Sequence, residues 1–415
     1  MQYWIINLVL TVSCGALVVS CEQRFDGYKL LAVEAASEFD ERVIDQLIAN
    51  EQVDAWSKPK VGHPGLISVN PVVFDNVTAE LIQYGINFNV TLDNLQRNFD
   101  EQKASTGGFR TAHSKYLRYS EIVRFIEDKV RQNEYYMPIA KFSVGKTVEG
   151  RDIFGIKIGM DNAAKAIWID GGIHAREWIS PATMVYTIDK IISLFSNRDP
   201  LITAMIFNTQ IIIVPVLNPD GYEYTWSTYR LWRKNRRVGR SCDGVDLNRN
   251  WGYHWMEQGA SSSECSQIYA GPSAMSEPET KAVAKFILSR KNQIKMYLSF
   301  HAYGQYFLTP WGYGRVYPDD FSDLRRVAQN AVNAIRDANG PVYSMGTSAI
   351  LLYPAAGGSD DWAKGVAGIK YSYTIELPDN GRYGFALPPR YIEPVGRETW
   401  PAFVSLFKHV LNDDE

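Results

Sequence analysis

The apolar positions of the chain fall into two regimes. After residue 111, short runs are apolar almost throughout: 166–170 (AIWID), 210–216 (QIIIVPV), 296–300 (MYLSF) and 371–377 (YSYTIEL). Runs of this length predict strands buried on both faces. Between and after them, apolar residues recur at helical spacing over 181–194, 277–290, 323–338 and 400–411, predicting helices that cover a sheet. The expected fold is α/β: a mixed, mostly parallel twisted sheet with helices on both faces. Before residue 111 the pattern is weaker. It predicts a strand at 28–33, a helix at 38–48, a strand at 66–69, a helix at 74–84 and a strand at 87–92, plus one further strand that it does not locate. That order suits a small α+β, ferredoxin-like domain.

Two segments stand outside this alternation. Residues 4–19 form an uncharged apolar run followed by small Ser20 and Cys21, which predicts a secretory signal over 1–21. No Lys or Arg precedes the run; the competing expectation is an uncleaved anchor. Residues 103–110 (KASTGGFR) end a polar helical segment. Their Gly107-Gly108 pair breaks the helix and exposes Arg110. A small leading domain, a flexible joint and an exposed Arg suit a zymogen cut after Arg110; an ordinary linker is the alternative. The expected organisation is therefore a signal at 1–21, a leading domain at 22–110 and a main domain at 111–415.

Length agrees, since 415 residues exceed a single domain of about 150. With 46% hydrophobic and 21% charged residues the composition is globular. A net charge of −3, from 43 basic and 46 acidic residues, supplies no general field for nucleic acid. Collagen, long coiled coils and multi-span membrane proteins do not fit. Export implies an oxidising compartment. Cys14 lies in the signal and Cys21 at its edge, so Cys242 and Cys265 remain. A single disulfide between them is the economical expectation, and a metal-binding pair the alternative. Asn76-Val77-Thr78 and Asn89-Val90-Thr91 match the glycosylation sequon.

Open α/β sheets place their sites beyond the carboxyl ends of strands. Strand 166–170 leads into His174 and Glu177, strand 296–300 into His301, and strand 371–377 carries Glu376 near its end. His and Glu three apart reach one cation if the backbone turns helically between them. A catalytic zinc takes three N or O ligands and leaves a position open for water, which His174, Glu177 and His301 satisfy. Glu376 would then act as general base. The stretch 230–240 (RLWRKNRRVGR) carries six cations in eleven residues. A solvated face, nucleic-acid binding and anion recognition all remain open for it. With Arg176, Asn248 and Arg249 nearby, the donors suit a substrate bearing a free carboxylate. No G-x-S-x-G, H-E-x-x-H or G-x-x-x-x-G-K-[ST] occurs, which disfavours serine hydrolases, thermolysin-type proteases and P-loop enzymes.

These motifs resemble the zinc carboxypeptidases of the carboxypeptidase A and B family. The resemblance rests on DGGIHAREWIS (170–180), LNPDGYEYTW (217–226), RLWRKNRR (230–237), GVDLNRNW (244–251), SFHAYGQ (299–305), LYPAAGGSDDW (352–362) and TIELPDNGRYGF (374–385), in family order. The leading domain resembles the family's activation propeptide. The resemblance implies one zinc ion per chain on His174, Glu177 and His301, with Glu376 as catalytic glutamate and Arg233 stabilising the oxyanion. It implies Asn248, Arg249 and Tyr353 as holders of the substrate's terminal carboxylate, Arg176 and Tyr303 along the path to it, and a Cys242–Cys265 disulfide. The implied substrates are peptide or protein C-termini. A trypsin-like protease is expected to activate the chain. The product is expected to be a secreted monomer with no nucleic-acid partner and no membrane attachment after signal removal.

Specificity turns on Asp360. The A-type enzymes carry an apolar residue there and the B-type carry Asp, so a carboxylate at the pocket floor implies release of C-terminal Lys or Arg. Gly312 looks A-like and Ser348 matches neither type. The alternatives are A-like release of apolar or aromatic ends and, from another class, a non-catalytic binding module. The adjacent Asp361 is expected to anchor a loop or helix end.

Overall fold

The computed structural model describes residues 22–104 and 112–412. The expected signal at 1–21 and the cleavage point at Arg110 lie outside them. The leading unit runs β1 (Lys29–Glu34), α1 (Glu38–Ala49), β2 (Val53–Ser57), β3 (Gly65–Val69), α2 (Phe74–Gln83), β4 (Asn87–Leu92) and α3 (Leu95–Lys103). Its antiparallel sheet has the order β2-β3-β1-β4, the split β-α-β arrangement expected of a ferredoxin-like domain. The strand that the pattern leaves unplaced is β2, whose VDAWS is short and interrupted by a charge. A reciprocal capping box starts α1: the Ser37 hydroxyl accepts from Asp40 N–H and the Asp40 carboxylate accepts from Ser37 N–H, each at 3.2 Å. Leu31 and Val33 on one sheet face pack on Val43, Leu47, Val77 and Leu81. Leu30 and Leu66 on the other face join the core of the main unit. The small domain is thereby docked through its sheet.

The main unit continues with α4 (Tyr119–Asn133), β5 (Ile139–Lys146), β6 (Asp152–Ile158), β7 (Lys165–Gly171), α5 (Ile179–Ser196), α6 (Pro200–Asn208), β8 (Thr209–Val214) and α7 (Pro219–Ser227). Then follow α8 (Pro278–Ser289), β9 (Ile294–Ala302), β10 (Tyr306–Thr309), α9 (Phe321–Asp337), β11 (Ser344–Thr347), α10 (Ser348–Leu351), α11 (Ser359–Gly365), β12 (Tyr371–Leu377) and α12 (Ile392–Asn412). The sheet order is β11-β10-β12-β9-β7-β8-β6-β5. The central strands β12, β9, β7 and β8 run parallel, while antiparallel pairs β10–β12, β8–β6 and β6–β5 flank them. Both faces are buried, with period-two alternation. Ile167, Ile169, Ile211 and Ile213 enter one core with α5, α9 and α12; Trp168, Ile212 and Val214 enter the other with α8 and α11.

The pattern leaves α4, β6, α6 and α7 unplaced, although α4 is a long amphipathic helix with Tyr119, Ile122 and Ile126 buried on one face, and it also misses weak elements. β5 is part-exposed along its length, and β10 and β11 have four residues each. The last helix begins at Ile392, well before residue 400, and carries Pro401 inside it. Proline favours the first helical turn, so the local signal marks a start where packing of Ile392 and Val395 extends the helix backwards.

Candidate active site

The parallel strands deliver their chemistry at one end of the sheet. β7 stops at Gly171, and Gly172 takes φ +62°, a left-handed turn that glycine adopts without strain. A Cβ there would meet Pro181 Cγ at 3.0 Å. Glu177 N–H then reaches His174 C=O at 3.3 Å, so the backbone does turn helically between the two before α5 starts. On β9 and β12, His301 and Glu376 are register partners, neighbours on parallel strands.

His174 Nδ1 lies 2.8 Å from Glu177 Oε1, and His301 Nδ1 lies 3.1 Å from His174 Nδ1 and 3.2 Å from Glu177 Oε2. One ligand atom from each residue lies within 4.8 Å of the others, and all three side chains are buried. The opposite ring nitrogens are occupied. His174 Nε2 is 3.2 Å from Asp246 Oδ1, and His301 Nε2 is 3.3 Å from Ser299 Oγ, which donates to Asp170 at 2.8 Å. Two Nδ1 atoms and a carboxylate thus converge on one buried point. Burial alone would push Glu177 up, but the two histidines override it and hold the carboxyl well below its usual range. The set fits a dication with His₂Glu ligation and ring nitrogens oriented from behind.

Asp246 organises this site, and the sequence reading does not single it out. Its Oδ1 faces His174 and accepts Asn248 N–H at 2.9 Å; its Oδ2 accepts Arg233 Nε and Nη2 at 3.1 and 2.9 Å. Burial opposes its charge, but Arg233, His174 and Arg249 outweigh burial and keep it ionised. The available signal is its place in GVDLNRN, two residues before Asn248. Asp246→Asn keeps the shape and removes the charge. It is expected to lower zinc affinity and kcat/KM each by about 10–100-fold, read by chelator competition and peptide hydrolysis. Unchanged values for both would reduce Asp246 to a packing residue.

All the predicted catalytic, metal and substrate residues except Arg176 line one cavity of about 440 Å³. Burial raises Glu376 to about 8, against the pull of His301. Arg249 is buried, with Nε on Gly259 C=O at 2.8 Å and Nη1 on Asn248 C=O at 2.9 Å. Asn248 Oδ1 accepts Ser359 N–H at 2.9 Å, tying this wall to the start of α11. Asp360 is buried in that first turn. Desolvation raises its pKa, and backbone N–H groups and the Thr374 hydroxyl oppose the rise. Asp361 anchors a loop as expected, accepting Gly312 N–H at 2.8 Å and Tyr313 N–H at 2.8 Å. Arg176 stands apart from the cavity, its guanidinium 4.2 Å over the Phe385 ring.

The leading unit roofs the cavity. Ser57 Oγ is 3.0 Å from the Tyr303 hydroxyl, Lys60 Nζ is 4.9 Å from the Tyr353 ring centre, and Trp56 packs 5.3 Å from Phe385. The first part of the 230–240 stretch is not a solvated face, although Val238 and Arg240 at its end are exposed. Arg230 is buried, donating to Gln102 Oε1, Arg176 C=O and Phe385 C=O. Arg233 meets Asp246, Arg236 lies 3.7 Å over Tyr224, and Arg237 pairs with Glu277 at 3.0 Å. Cys242 and Cys265 form a disulfide with Cα atoms 5.0 Å apart, which decides against a metal-binding pair.

Comparison with known proteins agrees with this geometry. Residues 122–402 match the family described as zinc carboxypeptidase, and residues 31–102 match the carboxypeptidase activation peptide. Carboxypeptidase B of Astacus astacus is 45% identical over 69% of this chain and 94% of its own length. Carboxypeptidase A2 of Rattus norvegicus is 36% identical over 97% of this chain and 98% of its own. The solved structure of thrombin activatable fibrinolysis inhibitor superposes with a TM-score of 0.87 at 34% identity, covering 94% of this chain and 100% of that one.

Proposed function

The chain belongs to the zinc carboxypeptidase family and carries that family's activation peptide, and from this premise we propose a secreted zymogen of B-like specificity. A trypsin-like protease cuts it after Arg110, between the 22–110 and 111–415 domains, and the monomeric product releases Lys or Arg from peptide and protein C-termini. The observation that carries the specificity is the buried Asp360 carboxylate on the wall of a cavity that also holds Arg249 and Glu376. The carboxypeptidase B relative at 45% identity favours the same reading.

His174, Glu177 and His301 would hold the zinc ion. When bound, zinc polarises the scissile carbonyl and lowers the pKa of water. Glu376 takes a proton from the attacking water at its carboxylate and passes it to the leaving amine. Arg233, fixed by two hydrogen bonds to Asp246, faces the developing oxyanion as a preorganised cation. Arg249 has Nε and Nη1 engaged on backbone carbonyls, so Nη2 remains for the substrate's terminal carboxylate, beside Asn248 and Tyr353. A chain interior brings no carboxylate to that cation, which disfavours internal cleavage. Tyr303 lines the approach and its contact with Ser57 belongs to the form roofed by the leading unit, while Arg176 packs behind the wall on the Phe385 ring.

Purified zymogen treated with trypsin and offered peptides ending in Arg, Lys, Leu and Phe is expected to release Arg and Lys fastest, and to stop on zinc chelation. Asp360→Ser is expected to lower kcat/KM for Arg-ending peptides by roughly 10²-fold, the scale of removing one partner from a buried charge pair, while Phe-ending peptides lose little. Preference for Phe and Leu by the native enzyme would overturn the B-like reading in favour of the A-like one, which the carboxypeptidase A2 relative supports. Failure to hydrolyse any of the four with zinc bound would leave a binding module.

A further inference from the structure

The two glycosylation sequons of the chain, at Asn76 and Asn89, both fall in the leading unit. They differ in setting. Asn76 is on the exposed side of α2, whereas Asn89 sits in the middle of β4, an edge strand that ladders only to β1. The opposite edge, β2, is held against the main unit through Trp56 and Ser57. β4 is thus the free edge of the small sheet among the described residues.

Along 87–90 that edge lacks the usual protections, and an irregularity at Thr91 interrupts it only toward its end. Residues 86–92 (INFNVTL) carry no charge, no Pro and no Gly. Asn87 and Asn89 are exposed and Val90 is 44% exposed. The pairing Glu34↔Asn87, Val33↔Phe88, Ala32↔Asn89 and Leu31↔Val90 is regular, and the register shifts only past Val90. An uncharged, regular, exposed edge is a template for pairing with a second chain; natural sheets blunt such edges with Lys, Pro, a bulge or a cover. β4 has none of these along 87–90. It does have an acceptor asparagine, exposed so that a bulky hydrophilic substituent displaces no core residue.

We propose that Asn89 carries an N-linked glycan and that the glycan blunts the β4 edge against strand-to-strand association of the zymogen. The proposal rests on the secreted reading above, because the modification needs the secretory route. With both sequons in 22–110, the sugar leaves with the activation domain.

The test uses the full chain expressed in secreting eukaryotic cells with Asn76→Gln, so that one sequon remains. Intact mass before and after peptide N-glycosidase F is expected to reveal one glycan, mapping to Asn89, lost in Thr91→Ala and retained in Thr91→Ser. In light scattering, the glycosylated zymogen is expected to stay monomeric. The Thr91→Ala form, and native protein trimmed to a single sugar by an endoglycosidase, are expected to self-associate, and adding Val90→Lys is expected to restore the monomer. Trimmed native protein that stays monomeric overturns the edge role without relying on a variant that could misfold. Secreted protein unmodified at Asn89 overturns this inference and leaves secretion standing; protein retained in the cytosol removes both.

Discussion

Glu376→Gln lowers kcat by roughly 10²–10⁴-fold, the range that general acid–base catalysis contributes, and leaves one zinc per chain. The substitution keeps size and hydrogen-bonding shape but cannot take a proton from water. Glu376 makes no convergent contact with the His174–Glu177–His301 set, although it neighbours His301 in register. Its loss should therefore not release the metal. The measurement is kcat of the trypsin-activated variant on an Arg-ending peptide, beside zinc content by atomic absorption. A variant that turns over at the native rate would remove Glu376 from the mechanism. A variant that loses its zinc would make it a metal-positioning residue instead.

His301→Ala should abolish both zinc retention and hydrolysis, with a loss of affinity exceeding the roughly 10–100-fold of an outer-shell change. The residue supplies one of three ligands from β9, and nothing else in that strand can replace it, because Ser299 already faces Asp170 from the next inward position. Zinc binding to the native fold also raises its stability by mass action. Chelation should thus lower the Tm of the native enzyme but not of His301→Ala. A variant that still holds zinc and responds to chelation like the native enzyme would place the metal elsewhere.

Much of the site is legible along the chain because its chemistry is attached to strong strands. The runs at 166–170, 296–300 and 371–377 are apolar on both faces, and His174, His301 and Glu376 follow or close them. A parallel sheet with both faces covered requires such runs, and its strand ends must gather. The weaker elements escaped for the same reason in reverse. β10 and β11 are too short to show a period, β2 is broken by the charge of Asp54, and β5 is part-exposed and carries little apolar contrast. The cations of 230–240 are equally ambiguous in one dimension. Only the fold turns Arg230 toward Gln102 and Arg233 toward Asp246, so that the first half of a stretch resembling a solvated face becomes a set of internal struts while Arg240 stays exposed.

The sequence by itself determined the kinds of donor and the strands that carry them. Periodicity, strand-end position and ligand chemistry are local properties, expressed within a few residues of one another. Tertiary structure alone decided that Asp246 stands behind His174 and pins Arg233, that the small domain lies over Tyr303 and Tyr353, and that β4 is the edge left open. Whether a buried charge is tolerated depends on the partner brought against it from a distant part of the chain, and no local pattern encodes that partner.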